Sequence, residues 1–322
     1  MSIITDEVPS IPIVDFSALS IENEARPDVT SDCVRELAQN LIHAFSTSGF
    51  VYLMNHGIPQ SEVDGIFNLM DDFFNLSKDV KSKYEKKDTS QPNGWDELER
   101  EGNSADRPGD LKESFDIGHI LEDYFKWPDA EVPAFKPALQ TFYKHLSTLG
   151  LRVLSAIAIG LGKDPVLFSS AFKHMGTCEG CTQLRLNYYP KLEDDFEIKP
   201  RQLRCAEHTD YGAIALLFQD SSGGLEVKDV HGKYVPVKPI EGAIIINIAD
   251  LLERWTSDKL KSTYHRVLIP EDVMRKRARK SAVFFFDPDH DANIQCVLGI
   301  NKYPPIKAGE YVTKRLAAGY KF

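Results

Sequence analysis

From residue 182 onward the chain breaks into short, β-prone apolar runs at 182–189, 213–218, 224–228, 234–237, 243–248, 263–268 and 281–286. Each is rich in β-branched, aromatic or other apolar residues and stops at glycine or charged turn residues, as in "DSSGG" at 220–224. A run this short cannot bury a core alone. Seven in series close on one another as an antiparallel sandwich or barrel.

The preceding half has a different rhythm. Val34, Leu37, Ala38, Leu41, Ile42 and Phe45 recur at three- and four-residue steps, which predicts a helix over 31–48. Val63, Ile66, Phe67, Met70, Phe73 and Phe74 mark a second helix from about Ser61, and Leu139, Phe142, Leu146, Leu149, Val153 and Ile157 a third over 134–162. "IPIVDFSAL" (11–19) and "GFVYLMNHG" (49–57) read as strands. Residues 86–109 are polar, glycine- and proline-rich, and predict a long loop of the kind that forms lids and binding loops. The expected layout is α+β: an N-terminal region of mixed helix and strand over residues 1–125, then a helix and β-barrel over 126–322, folding as one cooperative unit. No repeat or low-complexity tract interrupts it.

Composition narrows the function. A formal net charge of −10 argues against nucleic acid and anionic membrane as partners. No stretch reaches the ~20 apolar residues of a membrane span. The opening "MSIITDEVPSIPIVDF" lacks a basic leader, and "AGYKF" at the end matches no common address tag. Five scattered cysteines suit a reducing, cytoplasmic setting. The expected assembly is a monomer or weak homo-oligomer. Cys178 and Cys181 have C-x-x-C spacing, but no second pair completes a zinc site, so they read as ordinary thiols or a regulatory disulfide.

The chemistry enters at "AEHTDYG". On an extended backbone, His208 and Asp210 project to one side and suit two ligands of one metal. After 54 intervening residues, "KSTYHRVLIP" supplies His265 in a β-prone setting. Two imidazoles and one carboxylate form a facial triad that leaves three positions of an octahedral ion open, as non-heme Fe(II) oxygen chemistry requires. Fourteen residues after His265, Arg279 and Ser281 stand two apart at the entrance of "SAVFFFDP". A guanidinium beside a hydroxyl holds a carboxylate bidentately. The alternative is a solvated charge at the end of the basic run "RKRARK".

Taken together, His208-x-Asp210, His265 and Arg279-x-Ser281 resemble the signature of the Fe(II)- and 2-oxoglutarate-dependent dioxygenases of the isopenicillin N synthase-like superfamily. "NYYP" (187–190), "GFVYLMNHGI", "GGLEV" and "GEYVTKRL" fit the same family in order and spacing. The resemblance implies a double-stranded β-helix (jelly-roll) core. It implies Fe(II) on His208, Asp210 and His265. Arg279 and Ser281 would hold the distal carboxylate of 2-oxoglutarate, with Tyr189 as a third donor and Asn187 beside the cosubstrate. The implied reaction consumes O2 and 2-oxoglutarate, releases succinate and CO2, and hydroxylates, desaturates or cyclises a small polar metabolite. Two alternatives stay open: an oxidase of this fold in which Arg279 and Ser281 bind the substrate carboxylate, and a non-catalytic metabolite-binding protein.

Strand parity suggests where a substrate sits. Arg185 shares a face with Asn187 and Tyr189, and Phe285 with Arg279 and Ser281, while Tyr211 follows the ligand pair. Arg185, Tyr211 and Phe285 are the expected pocket, suited to a polar planar ring or to a carboxylate with an apolar body. A structural salt bridge is the competing role for Arg185. Asn93, Trp95 and Arg100 in the 86–109 loop are the next candidates. In "HTDYGAIALLFQDSSGGLEV" and "ADLLERW" the chain is most similar to the thymine 7-hydroxylase-like subgroup.

Overall fold

The computed structural model describes residues 11–23, 28–87, 91–102, 107–270, 273–299 and 301–319. Residues 1–10 and 320–322, within the two ends where no leader or address tag is expected, lie outside the described residues. Two sheets face each other. The larger has eight strands, in the order β1 (Ile13–Asp15), β2 (Phe50–Met54), β10 (Ile244–Ile248), β7 (Ile214–Gln219), β12 (Arg279–Phe286), β5 (Gln183–Tyr189), β4 (Glu113–Ile117) and β3 (Asn93–Asp96). The smaller runs β6 (Cys205–His208), β11 (His265–Val267), β8 (Leu225–Lys228) and β9 (Tyr234–Pro236). A short pair, β13 (Asn293–Ile294) and β14 (Ile306–Lys307), stands apart. All pairings within the two main sheets are antiparallel except β1 with β2.

Parity in the central strands separates two cores. Along β12, Ala282, Phe284 and Phe286 turn toward the helices, where Phe284 meets Tyr143 edge-on at 4.9 Å and Phe286 packs against Phe172 at 4.6 Å. The helices there are α1 (Asp32–Thr47), α2 (Gln60–Phe74), the single turn α3 (Lys78–Lys81) and α4 (Phe135–Gly160). Their apolar stripes fill the main core. Gly150 on α4 is required by that contact, since a Cβ there would lie 2.5 Å from the Phe286 ring. The other face of the large sheet packs on the small one through Phe50, Tyr52, Tyr189, Leu225, Val227, Ile245 and Val267.

This is the α+β jelly roll with flanking helices that the resemblance implied. Residues 1–125 supply four strands of the large sheet, β1 to β4, alongside their helices. The 86–109 segment is correspondingly not all loop, because "NGWD" forms β3 against β4. These strands are short and polar, which hides them from periodicity. Two helices complete the fold, α5 (Asp250–Trp255) and α6 (Ala308–Gly319). Among the described residues, no helix is long and apolar enough to cross a membrane.

Candidate active site

The triad assembles across the small sheet. His208 ends β6 and pairs in register with His265 at the start of β11, and their rings lie 4.2 Å apart. Asp210 follows in the turn and brings Oδ1 to 3.7 Å from His208 Nε2 and 3.8 Å from His265 Nε2. One ligand atom from each residue falls within 4.8 Å of the others.

Their backs are fixed. His208 Nδ1 lies 2.8 Å from the Ala206 carbonyl and His265 Nδ1 lies 3.2 Å from the Thr263 carbonyl. A carbonyl only accepts, so each Nδ1 carries the proton and each Nε2 presents a lone pair inward. Asn247 on β10 donates to Asp210 Oδ2 at 2.7 Å, which leaves Oδ1 for the centre. Burial, with the His208 ring beside it, holds the His265 imidazole down at about 4, in the neutral form that ligates metal. The donor set and its orientation fit Fe(II).

Beside the triad, an inner pocket of about 80 Å³ narrows between the sheets. Arg279 is 1% exposed there, so its charge is not the solvated end of a basic run. Its Nε donates to the Gly223 carbonyl at 2.8 Å, Nη2 to Gln219 at 3.0 Å and Nη1 to Ser281 Oγ at 3.3 Å, and the guanidinium lies over the Tyr189 ring. Three of five N–H groups are used, and no carboxylate of the described residues pairs with it. Asn187, opposite Ser281 in the sheet, keeps a buried Oδ1 without a partner. A buried cation with spare donors and no anion fits a bound carboxylate.

Outside the triad opens a cavity of about 430 Å³. Arg185, Tyr211 and Phe285 line it, with Lys112, Thr209 and Asp287. The Arg185 guanidinium is already engaged. It grips its cross-strand neighbour Asp116 in a two-pronged bond, Nε–Oδ1 at 2.6 Å and Nη2–Oδ2 at 2.8 Å, and reaches Glu101 at 3.1 Å. Lys86 pairs with Asp96 and Asp116, and Lys112 with Glu101 at 2.9 Å. Burial opposes ionisation, yet Arg185 with Lys112 and Lys86 holds Glu101 well below the usual carboxylate range, and Arg185 with Lys86 lowers the Asp116 carboxyl. Arg185 therefore serves first as a structural salt bridge, with its face toward the cavity and Phe285 at 5.9 Å. Of the other candidates, Arg100 lines the cavity and pairs with Glu85, whereas Asn93 caps the Gly118 and His119 amides and Trp95 is core. Cys178 is exposed, Cys181 half-buried, and both are free.

Comparisons with known proteins agree with this geometry. Residues 180–288 match the model of the 2OG-Fe(II) oxygenase superfamily, and 11–138 match that of the non-haem dioxygenase N-terminal region in morphine synthesis. The chain is 30% identical to the 2-oxoglutarate-Fe(II) type oxidoreductase ppzD of Metarhizium majus, over 89% of this chain and 90% of that one. It belongs to the 2OG-Fe(II) oxygenase superfamily. The full-length thymine 7-hydroxylase of Neurospora crassa, solved with alpha-KG, superposes on this oxygenase with a TM-score of 0.84 at 34% identity, covering 96% of both chains. The proline hydroxylase buaE of Petromyces alliaceus is 34% identical over 80% of this chain and 83% of its own. The oxygenase is thus an Fe(II)- and 2-oxoglutarate-dependent dioxygenase, with O2 as co-substrate, and this disfavours the oxidase and non-catalytic alternatives.

Several residues at the site escaped the sequence reading. Asn247 is the one polar residue of the otherwise apolar run 243–248, and that exception was the available signal. Lys112, Glu101 and Asp116 gave no local signal, because their partners are distant in the chain. Asp287 lines the cavity without an ion-pair partner among the described residues, and burial, with Asp210 near, raises its carboxyl to about 8. Arg315 of α6 donates to Thr209 Oγ1 at 3.0 Å and lies over the Tyr211 ring, closing that side.

Proposed function

We propose that this dioxygenase oxidises a C–H bond of a small polar metabolite, a ring or a short apolar body bearing polar groups, seated in the outer cavity. Bound at the triad, Fe(II) with 2-oxoglutarate and O2 supplies the oxidant, and succinate and CO2 leave. His208, Asp210 and His265 hold the metal, and Asn247 and the two backbone carbonyls aim them. Arg279 and Ser281 take the distal carboxylate of 2-oxoglutarate in the inner pocket, where Tyr189 stacks on the guanidinium and Asn187 lies alongside. Tyr211 and Phe285 flank the substrate. Arg185, anchored by Asp116 and Glu101, presents the edge of a fixed cation rather than a free one.

The position of the 430 Å³ cavity carries this reading: it meets the inner pocket at His208 and Asp210 and combines two aromatic walls with a polar rim. The Neurospora crassa enzyme solved with thymine, at 33% identity, and the proline hydroxylase both have names that point to small ring substrates. Scattered cysteines support a cytoplasmic setting. The test is succinate release by the iron-loaded protein with 2-oxoglutarate and panels of pyrimidines, cyclic amino acids and long apolar acids. Stimulation within the first two panels is expected; stimulation by the apolar acids alone overturns the proposal.

A further inference from the structure

Arg204 stands four residues before His208, at the entrance to β6, and has no solvent exposure. Its Nη2 donates to the Arg277 carbonyl at 3.1 Å, while Nε and Nη1 find no partner among the described residues. Burial, and then the Arg279 charge nearby, brings its pKa down to about 10, against the opposing influence of Tyr189 and Asp220. The Asp220 carboxylate is occupied by the Ser222 and Lys280 amides, and no ion pair joins it to Arg204. Two buried guanidiniums thus share one neighbourhood, and neither has a carboxylate partner among the described residues. Like charges brought together out of water are unfavourable unless an anion offsets them.

Arg204 does not line the inner pocket. Its bond to Arg277, two residues before Arg279, ties it to the start of the strand that carries the clamp. We infer that Arg204 is a positioning residue of the cosubstrate site: it adds a second buried positive charge beside Arg279, so that this end of the pocket favours a carboxylate over a neutral group. The inference rests on the assignment of Arg279 to the distal carboxylate of 2-oxoglutarate.

Calorimetric titration of the iron-loaded protein without O2 tests it, with 2-oxoglutarate and with 2-oxopentanoate, which has a methyl group in place of the distal carboxylate. Arg204→Gln keeps a donor for the Arg277 carbonyl and removes the charge. It is expected to weaken 2-oxoglutarate about tenfold, the scale of one charge acting across a buried region, and to leave 2-oxopentanoate unchanged. Arg204→Lys should recover most of the loss. Equal weakening of both ligands, or no change in either, overturns the inference. Should Arg204→Gln not fold, Arg204→Met is read in the same way. Arg279→Gln is the separate control: undiminished 2-oxoglutarate binding there removes the clamp assignment itself, whatever Arg204 does.

Discussion

At the scale of single residues, the site depends on which atom each side chain leaves free. Replacing His208, Asp210 or His265 by Ala should abolish iron-dependent turnover with little change in the thermal unfolding midpoint of the metal-free protein. Asn247→Ala releases Asp210 Oδ2 to swing, and should weaken iron binding about 10- to 100-fold, as loss of an outer-shell partner does elsewhere, measured by iron titration. Arg279→Ala removes the buried cation from the expected cosubstrate end. Truncating one partner of such a pair costs about 3–5 kcal/mol, so 2-oxoglutarate affinity should collapse, and Arg279→Lys should regain only part because a point charge replaces a fork. Normal 2-oxoglutarate affinity in both variants would move the clamp elsewhere.

The elements convert parity into division of labour. β12 pairs with β5 so that Arg279 faces Tyr189, Ser281 faces Asn187 and Val283 faces Arg185, while alternate residues feed the helix core. Phe285→Ala therefore opens the cavity wall without touching the main core. We expect 2-oxoglutarate consumption to continue while product per succinate falls, because the target C–H loses its placement. Arg185→Ala is a different experiment. It removes the two-pronged partner of Asp116, which is 1% exposed. Lys86 and Lys112 remain, but the buried cluster with Glu101 is left one positive charge short, so a stability loss of about 3–5 kcal/mol should dominate any effect on coupling. An unchanged unfolding midpoint in that variant would show the network to be dispensable.

Across the whole molecule, both halves of the chain weave one large sheet, since β1 to β4 pair among or beside strands of the C-terminal half. A single cooperative unfolding transition is expected, with calorimetric and van't Hoff enthalpies equal; two transitions would divide the chain into units. A long-range tie supports this. His56 Nδ1 accepts from the Ile58 amide at 3.1 Å, and Nε2 donates to the Gly242 carbonyl at 3.2 Å, 186 residues away. Burial holds this ring down to about 4, below its unfolded value near 6.5. The unfolded chain therefore binds a proton first as pH falls from 6.5 to 4, and stability should decline through that window by about 3 kcal/mol from this group. His56→Gln should flatten the pH dependence of the unfolding midpoint there. An identical slope in the variant would remove His56 as its source.

Some of this was written locally in the chain. Ligand-type residues, their spacing and the alternation in "LRLNYY" and "RKSAVFFF" are local properties, so His208, Asp210, His265, Arg279 and Ser281 stand out as candidates before any fold. Parity gives the shared face of Arg279 and Ser281, whereas Asp210, expected on an extended backbone beside His208, lies in the turn after β6. The availability of Arg185 was not readable in this way. Asp116 stands 69 residues from it and Glu101 84, and no local pattern states which carboxylate a guanidinium will meet. The strands β3 and β4 were equally silent, because their polar residues are buried against charges supplied by other segments. Periodicity encodes burial of apolar surface. Pairing of buried charges is settled only when distant strands come into register, and that register decided how the outer cavity is lined.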